Sequence, residues 1–146
     1  MRIEGRLIPP AETKSKYWAV EIPIIGVFTQ GTSKNNALEM AADAVAVLWN
    51  RSVENVQIIP FSEGSFHVAS EEKDFLPFLL SRIRQNRKMT LSQVARAGGS
   101  KSVNAFARYE QAKGSVPTVR KLEELLGSLD PDLHVVICRR EEKKRA

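Results

Sequence analysis

Residues 89–113 have the sequence MTLSQVARAGGSKSVNAFARYEQAK, which predicts two short helices joined by a tight turn. Thr90 and Gln93 have the spacing of a capping box, in which each side chain satisfies a backbone amide at the start of a helix. The apolar residues that follow recur at helical spacing up to the pair Gly98-Gly99, and glycine suits the left-handed conformation that ends a helix. A first helix is therefore expected to end at this pair.

A second helix is expected to open at Lys101-Ser102. Its apolar residues Val103, Phe106 and Tyr109 repeat every three positions, and we expect them to pack in the core. Two short helices with polar groups outward on the second form a helix-turn-helix pattern, whose second helix enters the major groove of DNA. The sequence therefore predicts a DNA-binding region.

Several side chains of this region have the chemistry needed to contact DNA. Asparagine can form two hydrogen bonds with adenine and arginine two with guanine, each discriminating by about 1–3 kcal/mol. The predicted DNA-binding residues are Gln93, Lys101, Ser102, Asn104, Ala105, Arg108 and Lys113. Lys113 is also a phosphate-contact candidate, together with Arg82, Arg84, Arg87 and Lys88, because phosphate contacts give affinity without sequence preference. For each residue taken alone, a role in surface solubility is the alternative.

The charge is divided unevenly along the chain. Residues 1–72 carry six basic and nine acidic side chains, a net charge of −3, whereas residues 73–146 carry sixteen and eight, a net charge of +8. A basic half suits a polyanionic partner, and the split suggests that the two halves have different partners.

The first 70 residues are predicted to form an antiparallel sheet with one helix across it. Alternating apolar and β-forming residues predict strands at 2–8, 17–22, 27–30, 56–59 and 65–69. Leu38, Ala41, Val45 and Leu48 share one stripe of a helix of about 16 residues, for which Ser33 is a good N-cap. We therefore expect an α+β layer in this half.

The second half, residues 74–139, is predicted to be a helical domain after a polar link at 70–73. Its first helix is expected from Phe75 and its last after Thr118, with Gly127 just past the end of the last helix. Leu133–Cys138 has the composition of a strand and needs a partner edge, which a second copy of the chain could supply. Residues 140–146 are expected to form a frayed tail.

No motif for catalysis is found in the sequence. His67 and His134 lie on predicted strands far apart in sequence, and zinc-site, nucleophile-elbow and phosphate-loop motifs are missing. Glu39 and Asp43 form a carboxylate pair on one helix, but without a third acidic group nearby a solvated helix face is the better interpretation. We expect no enzyme activity, no metal site and no cofactor.

The composition favours a cytoplasmic protein that does not enter a membrane. No apolar run approaches the roughly 20 residues needed to span a bilayer. The first residues lack the apolar block of a signal peptide, and the single cysteine, Cys138, permits no internal disulfide.

Residues 75–127 resemble the Xre-type, phage-repressor-like helix-turn-helix family. The resemblance rests on Ala95 in the second helix, on the run Ser102–Glu110, and on Val116-Pro117-Thr118-Val119 before the last helix. The family has a glutamate where Glu110 stands, and an aliphatic residue where this chain has Phe106. The resemblance implies a DNA-binding domain.

Residues 1–70 resemble the HicB antitoxin domain. The matching segments are Tyr17–Pro23, Thr29–Gly31 and Ala37-Leu38, while Ile24-Ile25-Gly26 replaces the family's usual Asp-Leu-Pro-Gly turn. The resemblance implies a partial ribonuclease-H-like fold without nuclease function. It also implies a HicA-type toxin, a small mRNA-cleaving protein, as partner.

Together these resemblances suggest a type II antitoxin that neutralises its toxin and represses its own operon by binding operator DNA, as a homodimer or higher oligomer. The expected fold is α+β, with a partial ribonuclease-H-like antiparallel sheet and one helix, then an all-α helix-turn-helix domain with a C-terminal strand. Two alternatives remain. One is a stand-alone regulator whose first half senses a small ligand, and the other is a nuclease, which would need three or four clustered carboxylates.

Overall fold

The computed structural model describes residues 1–113 and 116–137. Its five strands are β1 (Arg2–Ile8), β2 (Trp18–Ile22), β3 (Val27–Gly31), β4 (Gln57–Ser62) and β5 (Ser65–Ala69). Its α-helices are α1 (Pro10–Thr13), α2 (Lys34–Trp49), α3 (Phe75–Asn86), α4 (Leu91–Ala97), α5 (Val103–Glu110) and α6 (Val119–Leu129). Short 3-10 helices lie at Pro23–Ile25 and Val53–Asn55. The predicted α+β class is confirmed.

The strands form one antiparallel sheet in the order β3-β2-β1-β5-β4, with β1 at its centre. Burial alternates along β1, as expected for a strand with one covered face. Gly5 of β1 lies opposite Phe66 of β5, and a Cβ at Gly5 would lie 2.3 Å from the end of that ring. Glycine at this position therefore leaves room for the largest fully buried side chain of the sheet.

Helix α2 covers the apolar face of the sheet. Its N-cap is Ser33, as predicted, whose hydroxyl accepts a hydrogen bond from the Asn36 amide at 3.1 Å. The helix buries small residues, Ala37 and Ala41 among them, so that its backbone lies close to β3. A Cβ at Gly31 would lie only 2.3 Å from the Ala37 nitrogen.

Helix α3 packs against both halves of the chain. Trp49 at the end of α2 lies 5.0 Å from the ring of Phe75 and 5.6 Å from that of Phe78, measured between ring centroids. At the other end of α3, the Asn86 side-chain amide donates to the Pro23 carbonyl at 3.0 Å. The buried side chains of the sheet and of the helical half form one continuous core through this helix. The predicted domain boundary at 70–73 lies just before it.

Helices α4, α5 and α6 complete the helical half around Val94, Phe106 and Leu125, all buried. Helix α6 begins after Thr118, as predicted, but it continues through Gly127 to Leu129, so the expected end is wrong. Leu129 is buried, and this burial favours the last helical turn over an early stop. Gly127 destabilises the helix there only through its low helix propensity. No atom lies within 4 Å of the position that a Cβ would occupy, so glycine is not required by packing.

The predicted C-terminal strand is not formed by Leu133–Ile137, the part of it that the structure describes. This segment lies beside α6 instead, where the Leu133 amide donates to the Asp130 carbonyl at 3.1 Å and the Val135 amide to Glu123 Oε1 at 2.5 Å. Without a neighbouring strand its β-forming residues have no ladder to join. Cys138 and the predicted tail at 140–146 lie outside the described residues.

Candidate nucleic-acid interface

Helix α4 starts with the capping box that the sequence predicts. The Thr90 hydroxyl accepts from the Gln93 amide at 3.2 Å, and Gln93 Oε1 accepts from the Thr90 amide at 2.8 Å. Replacing such an N-cap by alanine typically costs about 1 kcal/mol. The side-chain carbonyl of Gln93 is therefore engaged at the start of α4, although Gln93 is exposed to solvent.

A five-residue connection joins α4 to α5. Gly99 has a φ of 64°, in the left-handed region that glycine adopts without a Cβ clash. The Ser100 hydroxyl then accepts from the Ser102 amide and donates to the Ser102 carbonyl, each at 3.2 Å. This local bonding defines the turn that sets the direction of α5, and sequence reasoning did not single out Ser100.

Helix α5 rests on two of the three apolar residues predicted to anchor it. Phe106 is buried and Tyr109 packs partly against the core. Val103 is 41% exposed, so its predicted core position is wrong. It is the first residue of the helix, beside the turn.

The structure brings four of the seven predicted DNA-binding residues together at the start and along the outer side of α5. Lys101 and Ser102 are exposed in the turn, and Asn104 and Arg108 are exposed on the helix. Lys113 is exposed beyond its end and Gln93 on α4. Ala105 is half-buried and lines a cavity of about 110 Å³ between α4, α5 and α6, so it contributes least to the outer side.

The predicted cations of α5 and its flanks have no acidic partner in the part of the chain that the structure describes. Among the ion pairs of those residues, none involves Lys101, Arg108 or Lys113. Exposed positive charges without an internal partner remain available to an anionic ligand.

Three of the predicted phosphate contacts are instead engaged within the chain. Arg82 donates to the Ile25 carbonyl at 3.2 Å, and Arg87 forms an ion pair with Asp130. Arg84 is bound to Glu110, so assigning these arginines to DNA phosphates on charge alone is not supported. Lys88 stays exposed in the α3–α4 turn.

Arg84 and Glu110 form the most buried ion pair that the structure describes, with side chains 18% and 10% exposed. Arg84 Nε donates to Glu110 Oε1 at 2.5 Å and Nη2 to Oε2 at 3.0 Å, while Nη1 donates to the Met89 carbonyl at 2.9 Å. The hydrogen bonds that Arg84 donates to Glu110 raise the pKa of Arg84 above its ordinary value. This pair connects α3 to the end of α5.

Elsewhere the described residues contain no group of three or more histidine, cysteine and acidic side chains placed to hold a metal ion. None of the described helices is both long and apolar enough to cross a bilayer.

Comparison with known proteins identified no relative of this chain. No family model matches the chain, and a search of curated proteins found no significantly similar sequence.

Proposed function

We propose that this chain is a sequence-specific DNA-binding protein, and that it serves as a HicB-type antitoxin. The observation that supports DNA binding most directly is the α4–turn–α5 pair. Its outer side presents Lys101, Asn104 and Arg108, exposed and outside every ion pair of the described residues. The capping box at one end and the Arg84–Glu110 pair at the other hold the two helices in place.

In this proposal α3–α6 form an Xre-type helix-turn-helix and α5 enters the major groove. Arg108 would bond a guanine through both edge acceptors and Asn104 an adenine, which supplies the sequence preference. Lys101 and Lys113 would contact phosphates on either side, and Ser102 and Gln93 would orient the helix on the backbone. Counterion release then predicts an affinity that falls steeply as salt is raised.

The first half would be the toxin-neutralising part of the antitoxin, a partial ribonuclease-H-like layer as the resemblance to HicB suggests. Three features support a protein partner here. Residues 1–72 carry a net charge of −3, which suits a basic RNA-cleaving toxin. The sheet face opposite α2 exposes polar residues such as Glu4 and Arg6, and the edge strand β3 exposes 70% of Phe28. An edge strand presents unpaired backbone groups that another chain can bind, and Phe28 adds apolar area beside them.

DNA binding is tested by titrating labelled duplex from upstream of the chain's own reading frame with purified protein. The expected result is binding at nanomolar to micromolar concentration that an unrelated duplex of equal length does not match, with the difference persisting as salt is raised. Equal affinity for the two duplexes at every salt concentration would contradict sequence-specific binding.

The antitoxin role is tested by co-expression with the adjacent reading frame. A stable complex with a small basic protein, together with relief of its growth inhibition, is the expected result. A neighbour whose toxicity is unchanged by this chain would refute the antitoxin role and leave the DNA-binding proposal standing.

A further inference from the structure

Val103 is an apolar side chain among the polar residues of the candidate nucleic-acid interface. It is the first residue of α5, it stands between Ser102 and Asn104, and it is 41% exposed. Phe106, one turn further along the same helix, is only 4% exposed. The core of the helical half therefore gains little from Val103, although its side chain is one that proteins usually bury.

The local structure gives no reason for valine at this position. A β-branched side chain lowers helix stability slightly, and the first turn of a helix favours polar side chains because its amides lack partners within the helix. A cavity of about 110 Å³ lies between α4, α5 and α6, and Val103 does not line it. The valine therefore serves neither the start of the helix nor the packing beneath it.

Val103 gives the outer side of α5 an apolar row beside its polar one. With 3.6 residues per turn, residues four apart lie on the same face of a helix, so Val103 and Ala107 form one row and Asn104 and Arg108 the next. Asn104 and Arg108 are exposed and Ala107 is half-buried. A surface that presents an amide and a guanidinium to base edges thus presents the valine methyl groups next to them.

We propose that Val103 contacts the C5-methyl group of a pyrimidine in the major groove, beside the base pair that Asn104 binds. This inference rests on the proposed DNA binding by α5. Among the groups that the four bases present in the major groove, the C5-methyl of thymine is the apolar one. A cytosine methylated at C5 carries the same group at the same place, so the shared ligand is the methyl group itself.

The contact supplies a preference that Asn104 and Arg108 do not. Their hydrogen bonds depend on the donors and acceptors of a base edge, whereas valine distinguishes a pyrimidine with a methyl group from one without it. Covering one methyl group corresponds to a change of roughly fourfold in the dissociation constant. The target of this chain is therefore expected to contain a thymine or a 5-methylcytosine next to the adenine that Asn104 binds.

Replacing thymines by deoxyuridine tests the contact with the full chain. Uracil pairs with adenine as thymine does and lacks only the C5-methyl group. In the upstream duplex of the operator titration, each thymine is replaced in turn and the dissociation constant is measured. One replacement should weaken wild-type binding by roughly fourfold. A second series methylates each cytosine in turn, and a fourfold gain at one position there would identify 5-methylcytosine as the source of the methyl group.

Three variants assign the methyl response to Val103. Val103→Ser should bind the duplexes with and without the methyl group at the sensitive position equally well, because it has no apolar side chain to cover that group. Val103→Ile keeps an apolar side chain and should keep the response. Val47→Ser is the matched control, since Val47 is 79% exposed on α2, and it should behave as the wild type does. Circular dichroism checks that each variant is folded.

Two outcomes would overturn the inference and leave sequence-specific binding in place. One is a wild type that prefers the operator and responds to neither series of duplexes. The other is a methyl response that persists undiminished in folded Val103→Ser. Failure of the proposed function gives a different result, because the wild type would then bind the unrelated duplex as tightly as the operator at every salt concentration.

Discussion

Arg84 in α3 holds both carboxylate oxygens of Glu110 at the end of α5, across 26 residues of sequence. The same guanidinium bonds the Met89 carbonyl in the turn between α3 and α4. One half-buried arginine thus connects α3, the turn after it and α5. Because the pKa of Arg84 is raised, titration of this guanidinium breaks the pair only in strong alkali.

We predict that Glu110→Ala destabilises the chain by about 1–3 kcal/mol, because it leaves a half-buried arginine without its charged partner. The measurement is urea unfolding followed by circular dichroism. Glu124→Ala is the control, since Glu124 pairs with Arg120 at 3.6 Å and with Lys121 at 3.2 Å, but all three side chains are exposed by more than 40%. Its loss should cost no more than about 0.5 kcal/mol. The double mutant Arg84→Ala/Glu110→Ala should regain much of the free energy of unfolding lost in Glu110→Ala. Equal losses in Glu110→Ala and Glu124→Ala would contradict the stabilising role of the Arg84–Glu110 pair.

Arg108→Ala should weaken binding to the operator by roughly tenfold to a hundredfold, since one bidentate base contact contributes about 1–3 kcal/mol. The preference at a single base should relax with it. Arg6→Ala removes the same charge from an exposed position on β1 and should leave operator affinity unchanged. Binding titrations of each protein variant against the operator and its single-base variants measure both the affinity and the base preference. Unaltered affinity and preference in Arg108→Ala would exclude this residue from base contact.

The elements that sequence reasoning placed well are those with local signals. The strands, α2 with its Ser33 cap and α4 with its capping box depend on periodicity and on residues within one turn of a helix end. Local signals also revealed the exposed candidates on α5, because a helix-turn-helix pattern is contiguous in sequence.

What the sequence could not supply depends on contacts between distant residues. The charge of Arg84 resembles that of Lys113, and only the fold shows that one faces Glu110 and the other faces solvent. The segment Leu133–Ile137 has the composition of a strand, but a strand also requires a neighbouring edge. Gly127 predicts the end of a helix, but burial of Leu129 favours continuing α6 to that residue.

Ala112→Gly is predicted to stabilise the chain by about 0.5–1 kcal/mol. Ala112 follows α5 with a φ of 54°, where an L-residue is strained and glycine is not. The helix ends there with the Lys113 amide donating to the Arg108 carbonyl at 3.2 Å, as in a Schellman motif. Ala107→Gly inside α5 should do the opposite and cost about 1 kcal/mol. Thermal melts compare the two, and a destabilised Ala112→Gly would contradict the left-handed conformation.

Gly5→Ala is predicted to destabilise the sheet by about 2 kcal/mol. The new Cβ would lie 2.3–2.9 Å from three atoms of the Phe66 ring, which is 1% exposed and has no room to shift without disturbing the core. Shortening the ring in Gly5→Ala/Phe66→Leu should recover part of the loss. Glu4→Ala, exposed on the same strand, should change the free energy of unfolding by less than about 0.5 kcal/mol. Equal stability of Gly5→Ala and the wild type would show that the ring can move.

The two halves are predicted to unfold in one transition, because α3 belongs to both. Its Phe75 and Phe78 pack on Trp49, and Arg51 pairs with Asp74, while its other side holds Glu110 through Arg84. Both tryptophans, Trp18 and Trp49, lie in the first half, so their fluorescence follows the sheet and α2. Far-UV circular dichroism follows mainly α3–α6, which contain most of the described helical residues.

Urea curves from the two signals should therefore coincide in midpoint and slope. Trp49→Ala, which removes the aromatic contact with α3, should shift both midpoints together. If the fluorescence transition were complete before the helical signal began to fall, the halves would be independent folding units. The core that runs through α3 would then stabilise one of them and not the other.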